Sequence, residues 1–477
     1  MAFKPIINLF SVLVMLFSIS LLAPLGISFF FEDGVEYIFL TTFVAAFIPA
    51  LLAWSITRKS NEEMGTKDGF VIITLFWVVL SFVGSMPFVL SGMSFVDSFF
   101  ESMSGITTTG ATVISGLDLL PESVLFYRQM LQWMGGMGLI VLAIAVMPLL
   151  GIGGGQLFKT EIPGALNDQK LTPRIKETAQ ALWLIYLTLT FACAALYYLA
   201  GMSAFDAISH SLSTVSIGGF STHDASIGFF NSLSIELICM VFMLLSAFSY
   251  ALHYFAIYKR KPLKYFHDAE LRFFTSILLL IFVLSILFCY LLGFDGASVR
   301  QILFQSVSIV TTTGFVSTDY SSWPTVITFL LLVGAFIGAC SGSVGGGIKS
   351  WRVLIMINHA KINIMRLVHP NAVVSLKIGS KAVDDKVAES VWGFFSIYII
   401  SFMLLLLSLL ATGMDFESAF SAIGACLNNL GPGLGSVSET YSSVTDFGKG
   451  VLAFAMILGR LEIFTLLVLF TTVFWDK

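Results

Sequence analysis

"TTTGFVSTD", residues 311–319, is a polar segment with a single glycine, and it lies between two long apolar runs. It ends a window, "VRQILFQSVSIVTTTGFV" from Val299, that can be laid without gaps over three others. These are "FVDSFFESMSGITTTGAT" from Phe95, "AFDAISHSLSTVSIGGFS" from Ala204 and "FESAFSAIGACLNNLGPG" from Phe416. The superposition puts Gly110, Gly219, Gly314 and Gly431 in one column, at spacings of 109, 95 and 117 residues. Three further columns are apolar almost throughout (Phe99, Met103, Ile106; Ile208, Leu212, Val215; Leu303, Val307, Val310; Phe420, Gly424, Leu427), at helical spacing. Each window predicts a helix too short to cross a membrane, followed by a polar turn.

Composition sets the medium. The 477 residues are 57% hydrophobic and 11% charged, and the mean hydropathy is +0.92. A soluble domain would carry about 25% charged residues. Apolar stretches long enough to cross a hydrocarbon core of roughly 30 Å recur along the chain. Ten spans are expected, over 6–30, 36–57, 69–92, 124–149, 177–200, 232–257, 273–293, 323–345, 389–412 and 448–474. The first is too long for a cleaved signal peptide, contains Pro24 and lacks a small-residue cleavage site.

Charge placement orients these spans. With Lys4 on the cytoplasmic side, 21 of the 25 basic residues fall inside, Lys159, Lys170, Arg174 and Lys477 among them, and only Arg128, Arg300, Lys449 and Arg460 do not. That asymmetry predicts cytoplasmic termini. Asp118, Asp224, Asp319 and Glu439 belong to an acidic opposite face, which would concentrate cations. The five cysteines are scattered singly and read as small core residues. No histidine sits at metal-ligand spacing from another, and no catalytic motif is present, so an enzyme is not expected. "GIGGGQ" at 151–156 reads only as a loop. Nothing points to nucleic acid.

Unsatisfied backbone in hydrocarbon costs several kcal/mol per group, so an irregular turn at membrane depth survives only when buried in protein or lining water. One such turn alone could be a buried cap. Four in register, each between two spans, give units that all point the same way and would bring four glycine turns to one height around an axis.

The glycine column and the "TTTG" and "NNLGPGLG" turns resemble the Trk/Ktr/HKT superfamily of potassium transporters, over about Lys67 to Lys477. The two extra spans within 6–57 make the chain similar to the TrkH/TrkG branch rather than the shorter KtrB branch. The resemblance implies an all-α integral membrane protein of a bacterial inner membrane. It would have four helix–pore loop–helix repeats with pseudo-fourfold symmetry around one pore, plus an N-terminal two-helix hairpin. The expected divisions are 1–60 for the hairpin and 66–150, 172–262, 264–368 and 381–477 for the repeats, the third with a broken second helix. Backbone carbonyls of Thr108, Thr109 and Gly110, of Ile217, Gly218 and Gly219, of Thr312, Thr313 and Gly314, and of Asn429, Leu430 and Gly431 would then replace the hydration shell of K+, and of Rb+ with it. One glycine per loop, against the longer filters of potassium channels, predicts weaker rejection of sodium.

Two further stretches concern gating. "GVLAFAMILGRLEIFTLLVLF", 450–470, carries Arg460 and Glu462 near the middle of the last expected span, where a charge costs roughly 2.5–3.5 kcal/mol unless it meets a cavity or partner. The resemblance implies that Arg460 projects into the path below the filter; an ion pair with a neighbouring helix is the alternative. "GACSGSVGGGIKSWR", 338–352, is too rich in glycine to hold a helix. By resemblance it is an intramembrane gate loop comprising Gly342, Ser343, Gly345, Gly346 and Gly347, with Lys349 just beyond; a small-residue packing site is the alternative. Arg128, near a span end, is expected to snorkel, and His210 to bond locally.

The resemblance also implies a homodimer docked on a cytosolic ring of nucleotide-binding TrkA-type regulatory subunits, surrounded by lipid, with K+ as the transported ion and no bound organic cofactor. "KRKPLK", 259–264, could instead face lipid head groups or serve as topology signal alone. A secondary carrier coupling K+ or Na+ uptake to H+ or Na+ is the second reading, because broken helices at the midplane are also a carrier feature.

Overall fold

The computed structural model describes residues 3–59, 65–146, 175–371, 374–379 and 381–475. Lys159, Lys170, Arg174, Lys477 and the 151–156 loop lie outside the described residues. Among the described residues the regular structure is helical, apart from a two-stranded antiparallel ladder in which Lys377 faces Ala382 and Ile378 faces Lys381.

Phe3–Ser20 and Leu22–Phe31 form one 29-residue apolar span. Pro24 stands at the third position of the second segment, where a missing N–H leaves no intrahelical bond unmade. Glu36–Thr57 returns beside it, and Asn8 donates to the Thr57 hydroxyl at 3.3 Å.

Four twelve-residue helices then recur: Phe95–Ile106, Ala204–Val215, Val299–Val310 and Phe416–Leu427. Each starts at a side-chain cap. Ser94, Ser203, Ser298 and Asp415 accept from the backbone N–H of Asp97, Asp206, Gln301 and Ser418, at 3.1, 3.0, 3.3 and 2.9 Å. In the third, Gln301 completes a capping box with Ser298, which replaces the acid found near the other starts. Long helices precede them, at Thr66–Leu90, Ile175–Leu199, Ala269–Leu291 and Asp385–Leu410.

The helices that follow the turns differ from expectation. Glu122–Val146 is continuous as far as it is described. The 232–257 span is instead two helices, Leu233–Ala247 and Tyr250–Ile257, bent by 97°. No glycine or proline breaks it; the Ala247 carbonyl accepts from Cys340 N–H at 3.1 Å and Tyr250 N–H donates to the Gly342 carbonyl at 3.0 Å, so bonds to a distant loop replace the helical ones. The 323–345 span is a helix only over Thr325–Ile337, where the glycine run begins. The 448–474 span bends by 109° between Asp446–Arg460 and Phe464–Phe470, which puts Arg460 at the end of a helix and Glu462 in the corner, rather than both in mid-span. Among the described residues six single helices are long and apolar enough to cross a membrane, or up to eight spans with the bent pairs, against the ten expected.

Among the described residues two large cores hold the bundle, beside a small one around Ile355, Ile362 and Val391. Phe100 and Met103 of the first short helix pack in one cluster with Leu427 and Met456, and with Phe17 and Phe39 of the N-terminal pair. Tyr186, Met243, Phe304 and Leu331 belong to the other. The uncapped, C-terminal ends of the four short helices are the buried ones, at Ile106, Val215, Val310 and Leu427, and each leads into its polar turn.

Candidate functional site

The four turns share one backbone conformation. A non-glycine residue with positive φ comes first (Thr108 56°, Ile217 54°, Thr312 65°, Asn429 51°), and two residues on a glycine with positive φ (Gly110 83°, Gly219 82°, Gly314 83°, Gly431 101°). Such conformations cost an ordinary residue of order 1–3 kcal/mol and persist where surroundings enforce them. Here the enforcing bonds repeat. The N–H of Thr109, Gly218, Thr313 and Leu430 reaches back to the carbonyl of Ser104, Ser213, Ser308 and Ala425 at 2.9, 2.8, 2.8 and 2.8 Å. Alternation of left-handed and ordinary φ turns successive carbonyls toward one side, which a regular strand would send to opposite sides.

The turns form a closed ring. A Cβ built at Gly110 would overlap the carbonyl oxygen of Gly218; at Gly219, that of Thr313; at Gly314, that of Leu430; and at Gly431 it would lie 2.6 Å from that of Thr109. Glycine is therefore required twice over, by φ and by a neighbour's carbonyl. Thr107 and Thr109 share a hydroxyl bond of 2.7 Å, as do Thr311 and Thr313, and Asn429 donates from the fourth turn to Thr109 Oγ1 of the first at 3.0 Å.

All four glycines line a cavity of about 530 Å³, whose wall also includes Asp224, Asp319 and Glu439. Beyond the ring lies a smaller cavity of about 80 Å³, lined by Asn429, Val344, Gly346, Lys349 and Arg460. The 338–349 loop lines the smaller cavity and is pinned against the ring, because Gly346 N–H donates to Thr312 Oγ1 at 2.7 Å and Gly347 N–H to the Asn428 carbonyl at 3.1 Å. Gly345 gives its carbonyl to the Lys349 ammonium, and Ser343 Oγ bonds the Cys340 carbonyl at 2.6 Å. Gly338, Gly342, Gly347 and Lys349 all have positive φ, so this stretch is an irregular loop and not a glycine-faced helix. Arg460 donates to the carbonyls of Val344 and Gly135 at 3.0 Å each and lies 5.3 Å from the Trp77 ring, while Glu462 pairs with Arg352. The structure thus gathers every expected ring and loop residue into one region.

Arg128 does not snorkel. It is wholly buried, pairs with Glu101 at 2.9 Å, donates to the Ser221 carbonyl at 3.2 Å and stacks 4.3 Å from Phe220. It is tethered between the first short helix and the chain leaving the second turn, at the wall of the larger cavity. Arg300, unexplained by sequence, pairs with Glu236 at 2.6 Å. His210 bonds the Asp206 carbonyl at 2.9 Å, locally as expected, and also Ser221 Oγ at 2.9 Å.

Sequence reasoning passed over one pattern. The seventh residue of three short helices is polar, and each braces the chain leaving its own turn: Glu101 accepts from Val113 N–H at 3.0 Å, His210 bonds Ser221, and Gln305 donates to the Thr318 carbonyl at 3.1 Å. In the fourth, Ser421 takes over beside Ala422, accepting from Leu434 N–H at 2.8 Å. That column was readable in the aligned windows.

A cation transport protein family, TrkH, matches residues 36–476. The chain is similar to the Trk system potassium uptake protein TrkH of Halomonas elongata, 50% identical over 482 residues, and to that of Escherichia coli, 47% identical over 483, with all of each chain covered. It is 42% identical to the Trk system potassium uptake protein TrkG of Escherichia coli over 469 residues, covering 97% of this chain and 96% of that one. The crystal structure of the potassium transporter TrkH from Vibrio parahaemolyticus matches with a TM-score of 0.91 and 48% identity, over the whole of both chains.

Proposed function

The chain belongs to the TrkH family of cation transport proteins, a transporter family and not an enzyme family, and on that premise we propose that it is the potassium-translocating membrane subunit of a Trk-type uptake system. K+, and Rb+ with it, passes through the ring of carbonyls at 108–110, 217–219, 312–314 and 429–431. The observation that carries this reading is the closure of the ring, each glycine standing against the carbonyl of the next turn. A cation that sheds water needs oxygen ligands from several sides at once, and main-chain carbonyls supply them without bringing a full negative charge that would hold the ion too tightly. The short helices point their carbonyl ends at the ring, which adds partial negative charge.

The divisions 66–150, 172–262, 264–368 and 381–477 act as four pseudo-symmetric repeats around one pore, with 1–60 as a hairpin at the side. The 338–349 loop, Lys349 and Arg460 close the path below the ring. The basic residues predict a bacterial inner membrane orientation with both termini inside. A homodimer on a cytosolic nucleotide-binding TrkA-type ring is carried over from the resemblance. The bends of 97° and 109° favour keeping the carrier reading as second, since broken helices also build carrier sites.

Flux into liposomes holding the purified protein, compared for K+, Rb+, Na+ and Li+, tests the proposal. Gly314→Ser is expected to weaken discrimination against sodium, because its side chain would press on the Leu430 carbonyl. An unchanged cation ranking would remove the ring as the filter. Resolved single-channel currents would favour the pore, whereas saturable flux driven by a proton or sodium gradient would favour the carrier.

A further inference from the structure

The turns depart from one another at the residue before the glycine: Thr109, Gly218, Thr313 and Leu430. The carbonyls of these four residues are the ones that face the neighbouring glycines around the ring. At Gly218 a side-chain amide intervenes. Gln132 Nε2, from the Glu122–Val146 helix, donates to the Gly218 carbonyl at 2.6 Å. Among the described residues the carbonyls of Thr109, Thr313 and Leu430 accept no such donor. Gln132 is wholly buried, and its Oε1 accepts from Phe220 N–H at 3.1 Å, so a partner on each side fixes which end is the amide.

The same contact explains why the second turn reads Ile-Gly-Gly. Gly218 is not among the residues of positive φ, so its backbone does not call for glycine. A Cβ at 218, however, would fall on the Gln132 amide and within 2.9 Å of Gln132 Cβ. The missing side chain at 218 makes room for Gln132. A glycine that lets a glutamine reach a ring carbonyl is a local trade, one that the Thr-Thr-Gly turns do not make.

We propose that Gln132 is a specificity-determining residue, whose amide holds the Gly218 carbonyl at a fixed reach so that this side of the ring cannot close on an ion smaller than potassium. The inference rests on the reading of the ring as the cation filter. A carbonyl has two lone pairs, so Gly218 can give one to the amide and one to the ion. Its freedom to move inward is what the amide removes. The ring is then fourfold in backbone but not in stiffness, with one restrained oxygen among four.

Flux assays on the purified full-length protein test this with three variants beside Gly314→Ser. Gln132→Met keeps length without the amide. Gln132→Glu keeps an acceptor for Phe220 N–H but loses the donor to Gly218. Gln132→Gly combined with Gly218→Thr removes the Cβ that would stand 2.9 Å away, refills the space and gives the second turn the pattern of the first and third. Each is expected to raise the ratio of sodium to potassium flux by roughly five-fold, the change carried by one net hydrogen bond of ordinary strength. If Gln132 only held Phe220, Gln132→Glu would keep the parental ratio, and the proposal would fall. If Gly314→Ser shifts the ratio while all three variants leave it unchanged, the Gln132 assignment alone fails. If Gly314→Ser is also silent, the ring itself is not the filter. Should Gln132→Met not reach the membrane, the refilled double variant answers the same question.

Discussion

The guanidinium of Arg460 donates to the carbonyl of Val344 at 3.0 Å, which ties the end of the Asp446–Arg460 helix to the loop beneath the ring. Its second amino group holds the Gly135 carbonyl at 3.0 Å, so one side chain joins three elements. Arg460→Ala removes both bonds and frees the loop on that side. Potassium flux into liposomes should rise several-fold at equal protein loading. A variant with unaltered flux and normal folding would show that the loop does not limit passage.

Glu101 and Arg128 are fully buried and share one bond of 2.9 Å, with Thr112 Oγ1 donating to Glu101 at 3.0 Å. Removing one partner of a buried pair strands the other charge, at a cost of about 3–5 kcal/mol. Arg128→Met should therefore lower the melting temperature in detergent sharply. Adding Glu101→Gln to it should recover a large part of the loss, because no charge is then left alone. A double variant as unstable as the single one would mean that packing of the Arg128 stem, and not charge, is what matters there.

At the acidic mouth, His223 ties two loops together. Its Nδ1 lies 2.5 Å from Asp118, its Nε2 lies 3.5 Å from Asp206, and its ring stacks on Phe229 at 3.5 Å. Burial works against the cation, but the hydrogen bonds to Asp206 and Asp118 outweigh it and hold His223 above its ordinary 6.5. The stabilisation from a raised pKa is fully present below the ordinary value and is lost as pH rises through the raised one. Hydrogen exchange at residues 116–120 and 222–230 should accelerate across that window as pH increases. With His223→Gln the step should vanish; a step that persists would belong to another group.

How much of this was legible in the chain varies residue by residue. The glycine column announced the turns, since only glycine tolerates both the φ and the close carbonyl at 110, 219, 314 and 431. The left-handed Thr108, Ile217 and Thr312 were not legible as such, because nothing in a threonine or isoleucine prefers that conformation, although Asn429 does tolerate it; the back-bonds from the next residue impose it. The bend at 248–249 carries no breaker, and its cause, the loop around Cys340 and Gly342, lies some ninety residues away in the chain. Gln132 reads as one more polar residue on an amphipathic helix until Gly218, separated by 86 positions, is seen against it. Arg128 misled because a charge near a span end ordinarily extends to the head groups, and here Glu101 and the Ser221 carbonyl hold it inside the protein.

Gly346 offers the sharpest test of the loop as a closure. Its N–H donates to Thr312 Oγ1 at 2.7 Å, and a Cβ there would overlap the Asn428 carbonyl of the fourth turn. Gly346→Ala is therefore expected to push the loop away from the ring, while Arg460→Ala releases the same loop at Val344. If each variant raises flux by releasing one loop, the two effects share a single closed state. The double variant should then conduct little more than the better single one, a coupling of the kind that neighbouring sites show and distant sites do not. Multiplicative rates would instead mean two independent barriers, with Arg460 acting in the path by its own charge. Measuring all four proteins at one potassium concentration, with Gly450→Ala as a control because a Cβ there meets nothing within 4 Å, separates these outcomes.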